Sequence, residues 1–236
     1  MSFAFDEIKW GLSEKKDGPM KLYFDGALDE AALRNREKFF STLGVDLNNI
    51  VSADLAHGNN VAVVEKTDGG RVITDTDALV TKEPGMFLTV TGADCVPIYF
   101  YDPKCRVVGL AHAGWRGVVK NIAAAIIGTM ERKYGSDPAD IFVCIGPHIR
   151  SHHFEVKEDV AKEFALYPDR VLKPEDKILI DLGGVVKDQL VAAGVNENNI
   201  EIDQACTFCE NEKYFSFRHD KPPKLQAMVA YIGLHS

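Results

Sequence analysis

The sequence has 236 residues, of which 46% are hydrophobic and 26% charged, a composition typical of a globular protein that buries roughly 70 to 75% of its unfolded surface. The formal net charge of −8 at pH 7 repels polyphosphate backbones and argues against a general surface for nucleic acid or anionic membranes. No run approaches the ~18 apolar residues that span a bilayer, and the start MSFAFDEIKWGLSEKKDG is charged where a signal peptide is apolar. We therefore expect a cytoplasmic protein that binds neither membranes nor nucleic acid.

No repeat, low-complexity tract or Gly/Ser linker divides the sequence, so residues 1–236 are predicted to form a single domain. Three short apolar runs, MFLTV, VPIYFY and RVVGLAHA, are each bounded by Gly, Asp or Pro. This pattern is typical of central strands that are buried on both faces. The five cysteines are an odd number in a chain of this length, and we expect reduced thiols, some of them metal ligands.

Beyond Gly117, apolar residues recur at helical spacing and predict one long helix that ends before Gly135. Further patterns predict a strand over 141–146, helices over 158–166 and 185–193 with Gly194 at the C-cap, and a closing strand over 225–234. Strands and helices interleave without a strict βαβ rhythm. The predicted fold class is therefore α/β, with a mixed sheet flanked by helices.

Three potential metal ligands lie near the ends of predicted elements: His57 in LAHGNN, Cys95 in TGADCVPI and His112 in GLAHAGWRG. Cys95 follows the MFLTV strand and His112 ends the RVVGLAHA strand, so both reach one cleft if those strands are neighbours. A thiolate and two imidazoles form a Zn²⁺ ligand set that leaves the fourth tetrahedral position for water. Taken singly, the same residues are better explained as a turn residue, a small buried thiol and a core histidine.

The stretch TGADCVPIYFYDPKCRVVGLAHAGWRGVVKNI resembles the signature of the laccase-domain, polyphenol oxidase-like or purine nucleoside phosphorylase-like family, whose usual forms are TADCxPI and AHAGWRG. The resemblance extends to Asn35-Arg36, HGNNVAVV, CIGPHIRSHHFEV and CTFCENEKYFSFRHD. It implies a mixed α/β fold similar to the catalytic domain of cytotoxic necrotizing factor. It also implies a Zn²⁺ ion on His57, Cys95 and His112.

The resemblance further implies purine nucleosides and phosphate as the molecules that the protein binds. The implied reactions are phosphorolysis of adenosine, inosine, guanosine or methylthioadenosine, and hydrolytic deamination of adenosine. A zinc ion with an open position suits both, because it polarises an electrophile and generates hydroxide near neutral pH. We expect an enzyme that is a monomer or a small homo-oligomer.

Three further residues are candidates for the chemistry of such a site. Asp94, next to Cys95, is a candidate proton shuttle, with a structural carboxylate behind the ligands as the alternative. Arg36 matches the arginine of the family's NR pair and is predicted to bind phosphate or ribose through its planar fork. The alternative is a solvated charge on the face of a helix. Arg116 in GWRG either meets an anion or stacks beneath Trp115.

Other functions stay open at this point. A copper-dependent polyphenol oxidase is disfavoured because the seven histidines include no His-x-His pair, although copper can substitute for zinc. A hydrolase with Cys95 as nucleophile and His112 as base is the second alternative. A non-enzymatic peptidoglycan-editing factor is the third, and departures from the family's usual residues at Leu55, Val186 and Lys224 keep it open.

Two motifs are left over. Cys206 and Cys209 in CTFC have CxxC spacing without a second CxxC, and we interpret them as structural or substrate-lining. His148, His152 and His153 in GPHIRSHHF are interpreted as exposed polar residues, with weak binding of a second metal as the alternative.

Overall fold

The computed structural model describes residues 3, 5–24 and 26–235. Over these residues the strands, in chain order, are β1 (Ile8–Leu12), β2 (Tyr23–Phe24), β3 (Ala27–Leu28), β4 (Ile50–Ala53), β5 (Val61–Val63), β6 (Val72–Ile73), β7 (Ala78–Thr81), β8 (Phe87–Gly92), β9 (Val96–Asp102), β10 (Val107–Ala113), β11 (Phe142–Ile145), β12 (Glu155–Val156), β13 (Val171–Leu172), β14 (Ile178–Ile180), β15 (Ile200–Ile202) and β16 (Met228–Leu234). The α-helices are α1 (Glu30–Thr42), α2 (Trp115–Val119), α3 (Ile122–Tyr134), α4 (Glu158–Lys162), α5 (Leu182–Ala192) and α6 (Phe217–Asp220).

The mixed α/β class predicted from the sequence is confirmed, and most strands lie in two large mixed sheets. The first sheet has the order β1-β16-β8-β4-β6, antiparallel from β1 to β8 and parallel from β8 to β6. The second has the order β15-β11-β9-β10-β7-β5, antiparallel in its centre and parallel at both edges. The strands β9 and β10 are buried throughout their lengths, as their continuous apolar runs predict.

The two sheets pack face to face, and helices cover their outer faces. Leu88 of β8 and Leu110 of β10 belong to one buried cluster between the sheets. On the far side of the second sheet, Ile126 of α3 packs so closely on β10 that a Cβ at Gly109 would lie 2.9 Å from its Cδ1. On the far side of the first sheet, α1 contributes the fully buried Phe40. The result is four layers, α/β/β/α.

One thiol lies in the core between the sheets. Cys144 of β11 pairs with Tyr99 of β9 and has no solvent-exposed surface. Burial, together with the negative charges of Glu201 and Asp203, raises its pKa to about 12. All five cysteines of the chain are free thiols, as the odd count predicts.

The structure corrects the prediction of one long helix after Gly117. The chain forms α2 and then α3, separated at Asn121, which adopts a left-handed conformation with φ 57°. The Asn121 side chain accepts a hydrogen bond from the amide of Ala124 and so begins α3. The apolar stripe runs across this break because both helices bury the same side against β10.

The remaining predicted elements fall close to their expected places. A strand over 142–145 and a helix over 182–192 are present, and Gly194 follows α5 with φ 96°. The predicted helix over 158–166 is shorter and ends at Lys162, after which the chain turns. Over residues 3, 5–24 and 26–235, no helix is long and apolar enough to cross a bilayer.

Candidate metal and substrate site

The pairing of β9 with β10 brings Cys95 and His112 together. His112 pairs with Pro97 and Ala113 with Val96, and Cys95 immediately precedes Val96. The sequence predicts this proximity from β8, the strand that precedes Cys95, but β8 lies in the other sheet. The expected proximity is therefore correct, while the strand that creates it is the one that follows Cys95.

Cys95 lies in a strained turn that connects β8 of the first sheet to β9 of the second. Asp94 has φ 88°, a conformation that non-glycine residues adopt rarely. Its carboxylate accepts one hydrogen bond from the Thr207 hydroxyl at 2.7 Å and one from the Arg218 amide at 2.7 Å, and its carbonyl accepts from the Ile149 amide. Because both carboxylate oxygens are engaged with the protein, the observed contacts favour the structural interpretation of Asp94 over the proton shuttle.

His57 lies on the exposed loop between β4 and β5, with a left-handed φ of 57°. A buried carboxylate holds this loop in place. Asp77 accepts the backbone amides of His57 at 2.8 Å and Gly58 at 2.7 Å. The Asp77 carbonyl also accepts the backbone amide of His112, so one residue fixes the backbone of two predicted ligands.

The three predicted ligands converge on the backbone of Gly114. A Cβ at this glycine would lie 3.3 Å from Cys95 Sγ, 3.4 Å from His112 Cε1 and 3.4 Å from His57 Cδ2. The two imidazole rings are 5.0 Å apart at an angle of 82°. The donor atoms of His57, Cys95 and His112 are not all within 4.8 Å of one another. Among the described residues, this spacing is found in another group, formed by His152, His153 and Cys209.

Asp77 is a residue of this candidate site that sequence reasoning missed. It is fully buried, and its Oδ1 lies 3.5 Å from Nδ1 of His112, which is itself only 3% exposed. Burial opposes ionisation of both groups, but the carboxylate and the Cys95 sulfur outweigh it and raise the pKa of His112 to about 9. The nearby His112 and the hydrogen bonds from the two loop amides lower the pKa of Asp77 in spite of its burial. A carboxylate directed at Nδ1 leaves Nε2 as the nitrogen available to a metal.

Arg36 is buried on α1, which rules out the solvated-charge interpretation. Its Nε donates to the Met20 carbonyl at 2.8 Å, and its Nη1 donates to the hydroxyls of Ser52 at 2.8 Å and Thr89 at 3.4 Å. Burial lowers its pKa to about 10, so the guanidinium stays charged at neutral pH. Among the described residues, the hydrogen-bond partners of this buried cation are all neutral, an arrangement suited to an anionic ligand.

Two small cavities meet at Thr91, a residue of β8. One is lined by Arg36 and Lys21, and the other by Cys95 and His112. The cavity that contains Arg36 adjoins a larger cavity of about 620 Å³. Both are lined by Lys21, Tyr23, Asp54 and Val72, and the larger one also by Phe24, Gly26, Gly70 and Thr74. A cavity of this size is within the range of small-molecule sites.

Positive charge also surrounds His57. Burial lowers its pKa, and the charges of His112, Lys21 and Arg116 lower it further, while Asp77 opposes them. The guanidinium of Arg116 lies 4.2 Å from the centre of the Trp115 ring, which is the stacked arrangement that the sequence offered as one alternative. Its exposed charge remains available to an anion near His57.

The three departures from the family pattern occupy different environments. Leu55 lines the cavity that contains Arg36. Val186 is completely buried in α5, and Lys224 forms an ion pair with Asp29, the N-cap of α1. Leu55 is therefore the departure that adjoins the candidate site.

The fold and this site define a mixed α/β protein with a His/Cys/His cluster beside a cationic cavity. Residues 21–235 match the model of the family described as multi-copper polyphenol oxidoreductase laccase, and the chain belongs to this family. The resemblance inferred from the sequence motifs is thereby confirmed.

Relatives with named activities are similar to this chain over most of its length. It is 32% identical over 218 residues to purine nucleoside phosphorylase YlmD of Bacillus subtilis. The aligned region covers 87% of this chain and 78% of the relative. It is 36% identical over 189 residues to adenosine deaminase RL5 of an unknown prokaryotic organism, covering 75% and 72%. The crystal structure of YlmD from Geobacillus stearothermophilus has a TM-score of 0.92 at 30% identity, covering 98% of this chain and 93% of that one.

Proposed function

We propose that this protein is a zinc-dependent purine nucleoside phosphorylase that also deaminates adenosine. The observation that carries the proposal is the convergence of His57, Cys95 and His112 on Gly114, beside a cavity that contains the buried Arg36. The names of the relatives, purine nucleoside phosphorylase and adenosine deaminase, support the substrate class.

The three side chains fit Zn²⁺ in their chemistry. Two imidazoles and a thiolate are zinc ligands, and the carboxylate of Asp77 behind His112 is the usual support for such an imidazole. Holding one ion requires at least one of the side chains to move inward, and the exposed His57 is the least constrained of them. When bound, the ion would supply a Lewis acid and a hydroxide near neutral pH.

The residues around the cluster supply binding and orientation. We assign phosphate to the cationic side of the site, where Lys21, Arg36 and Arg116 place positive charge. The rings of Tyr23 and Phe24 line the adjoining cavity and offer apolar faces for a purine. Phosphorolysis breaks the N-glycosidic bond and transfers the ribosyl group to phosphate, so the nucleoside and phosphate must be bound next to each other.

In this proposal Asp94 positions Cys95, because its carboxylate is hydrogen-bonded to Thr207 and Arg218. Its role as the proton shuttle stays a prediction. A single domain over residues 1–236, a cytoplasmic location and a monomeric or small homo-oligomeric state also stay predictions. A four-copper oxidase site is not proposed, since the sequence has seven histidines and no His-x-His pair.

The test uses purified zinc-loaded protein and chromatographic analysis of products. With inosine and phosphate we expect hypoxanthine and ribose 1-phosphate, and no product when phosphate is omitted. With adenosine and no phosphate we expect inosine and ammonia. Protein treated with a chelator is the matched control, and an absence of product from both nucleosides in the zinc-loaded sample would refute the proposal.

A further inference from the structure

A second group of two histidines and one cysteine lies at the surface, formed by His152, His153 and Cys209. Nε2 of His152 lies 3.3 Å from Sγ of Cys209, and the ligand atoms of all three side chains lie within 4.8 Å of one another. Metal–sulfur and metal–nitrogen bonds of about 2.3 and 2.0–2.1 Å, at a tetrahedral angle, separate sulfur from nitrogen by roughly 3.5 Å. His152 and Cys209 therefore already have nearly the spacing that a bound ion imposes, and the donor of His153 lies within 4.8 Å of both.

The two segments that carry these side chains are joined by contacts outside the group. The amide of Thr207 donates to the His148 carbonyl at 3.2 Å, and the Arg150 guanidinium donates to the Asp203 carbonyl at 2.7 Å. His148, which the sequence predicts to be exposed, is fully buried, and its Nδ1 lies 2.8 Å from a backbone carbonyl. These contacts hold the loop at 148–153 against the CTFC segment, so a metal would bind donors that are already placed.

Contacts with neighbouring side chains act on both His153 and Cys209. Burial and the neighbouring His152 lower the pKa of His153. Its ring also stacks on Phe208 at a centroid distance of 3.9 Å and an angle of 18°, which fixes its plane. Burial and the Cys206 thiol raise the pKa of Cys209, so metal binding would release the thiol proton.

We propose that His152, His153 and Cys209 form a second Zn²⁺ site, which shares no ligand with the His57, Cys95 and His112 triad. Two imidazoles and a thiolate match zinc better than the harder Mg²⁺ or Ca²⁺, which take oxygen ligands. With three protein ligands, the fourth position is filled by water or by a donor from another molecule. The proposal does not depend on the proposed enzymatic function.

An ion at this second site would join the segments that hold Asp94. Its carbonyl accepts the amide of Ile149, from the loop that carries the two histidines. Its carboxylate accepts the hydroxyl of Thr207, two residues before Cys209. Since Asp94 forms the turn before Cys95, occupancy of the second site stiffens the support of the first.

The test measures metal stoichiometry on the full-length protein in a reductant that does not bind metals. Zn²⁺ is titrated against a chromophoric chelator, and Co²⁺ reports thiolate ligation through its charge-transfer band. We expect two equivalents for the wild type, one for Cys95→Ser, which isolates the second site, and none for Cys95→Ser/Cys209→Ser. Cys95→Ser/Cys105→Ser, which loses a thiol outside both groups, is the matched control and should retain one equivalent.

His152→Ala in the Cys95→Ser background should abolish the remaining thiolate band, as Cys209→Ser does. Both residues are exposed, so neither substitution opens the core. The proposal is overturned if Cys95→Ser protein shows no thiolate band with Co²⁺, or if Cys209→Ser leaves the stoichiometry of the wild type unchanged. A wild type that binds one equivalent, lost in Cys209→Ser and retained in Cys95→Ser, would support the second site and contradict the first.

Discussion

Replacing Cys95 by serine is expected to lower kcat/KM for inosine phosphorolysis about 10³-fold, the effect of losing several kcal/mol of transition-state stabilisation. The reason is that a serine hydroxyl stays protonated at neutral pH and is a far weaker zinc ligand than a thiolate. The rate is measured from hypoxanthine formation at saturating phosphate. Zinc content is measured on the same sample by elemental analysis, and the zinc bound by the triad should be lost.

Cys105→Ser is the matched control for this substitution. Cys105 lies in the turn between β9 and β10, apart from both groups of candidate ligands, and its variant should keep wild-type activity. Chelation separates the zinc enzyme from a hydrolase with a Cys95 nucleophile, because only the zinc enzyme loses activity and regains it with Zn²⁺. A Cys95→Ser variant that works within threefold of the wild-type rate would contradict the assignment.

Asp77→Asn is expected to weaken zinc binding at the triad by about 10- to 100-fold, the usual effect of removing a carboxylate behind a ligating histidine. The amide keeps the size of the side chain but removes the charge that faces Nδ1 of His112. Turnover should therefore fall at limiting zinc and recover at excess zinc. The measurement is a competition titration in the Cys209→Ser background, so that the triad is the site observed.

Asp75→Asn provides the same change of charge two residues away. Asp75 is exposed and has φ 51°, a conformation that asparagine tolerates, so zinc affinity should stay at the value of the parent. A merely structural role for Asp77 would lower thermal stability without changing zinc affinity. Equal affinities of the parent and the Asp77→Asn variant would thus remove Asp77 from the metal site.

The elements with the strongest apolar patterns were predictable from the sequence. The runs that became β9 and β10 have no polar alternation, and that is the signature of strands covered on both sides. The division of the strands between two stacked sheets was not predictable, because a fully apolar strand gives no indication of its hydrogen-bonded partner. The break at Asn121 was missed for a related reason, since helical periodicity records which side is buried and not whether the backbone is continuous.

The candidate site was predictable where residue type limits the chemistry. The imidazoles and the thiol stand out in the sequence, and the motif that contains Cys95 and His112 supplied the family. Asp77 was missed because a single carboxylate has no periodic pattern. The available signal was its position directly before the fully buried strand β7, where an unpaired charge requires a partner. Burial of Arg36 depends on how α1 lies against the first sheet, which local sequence does not determine.

The rate at which the Cys144 thiol is alkylated reports the unfolding of the protein. A sulfur without solvent contact and with a pKa of about 12 does not react with an alkylating reagent while the two sheets are closed. Modification at this position therefore requires the layers to separate, and its rate reports how often the whole molecule opens. In metal-free protein the exposed Cys209, in contrast, is accessible in the native state, so one labelling time course followed by mass spectrometry distinguishes local accessibility from global opening.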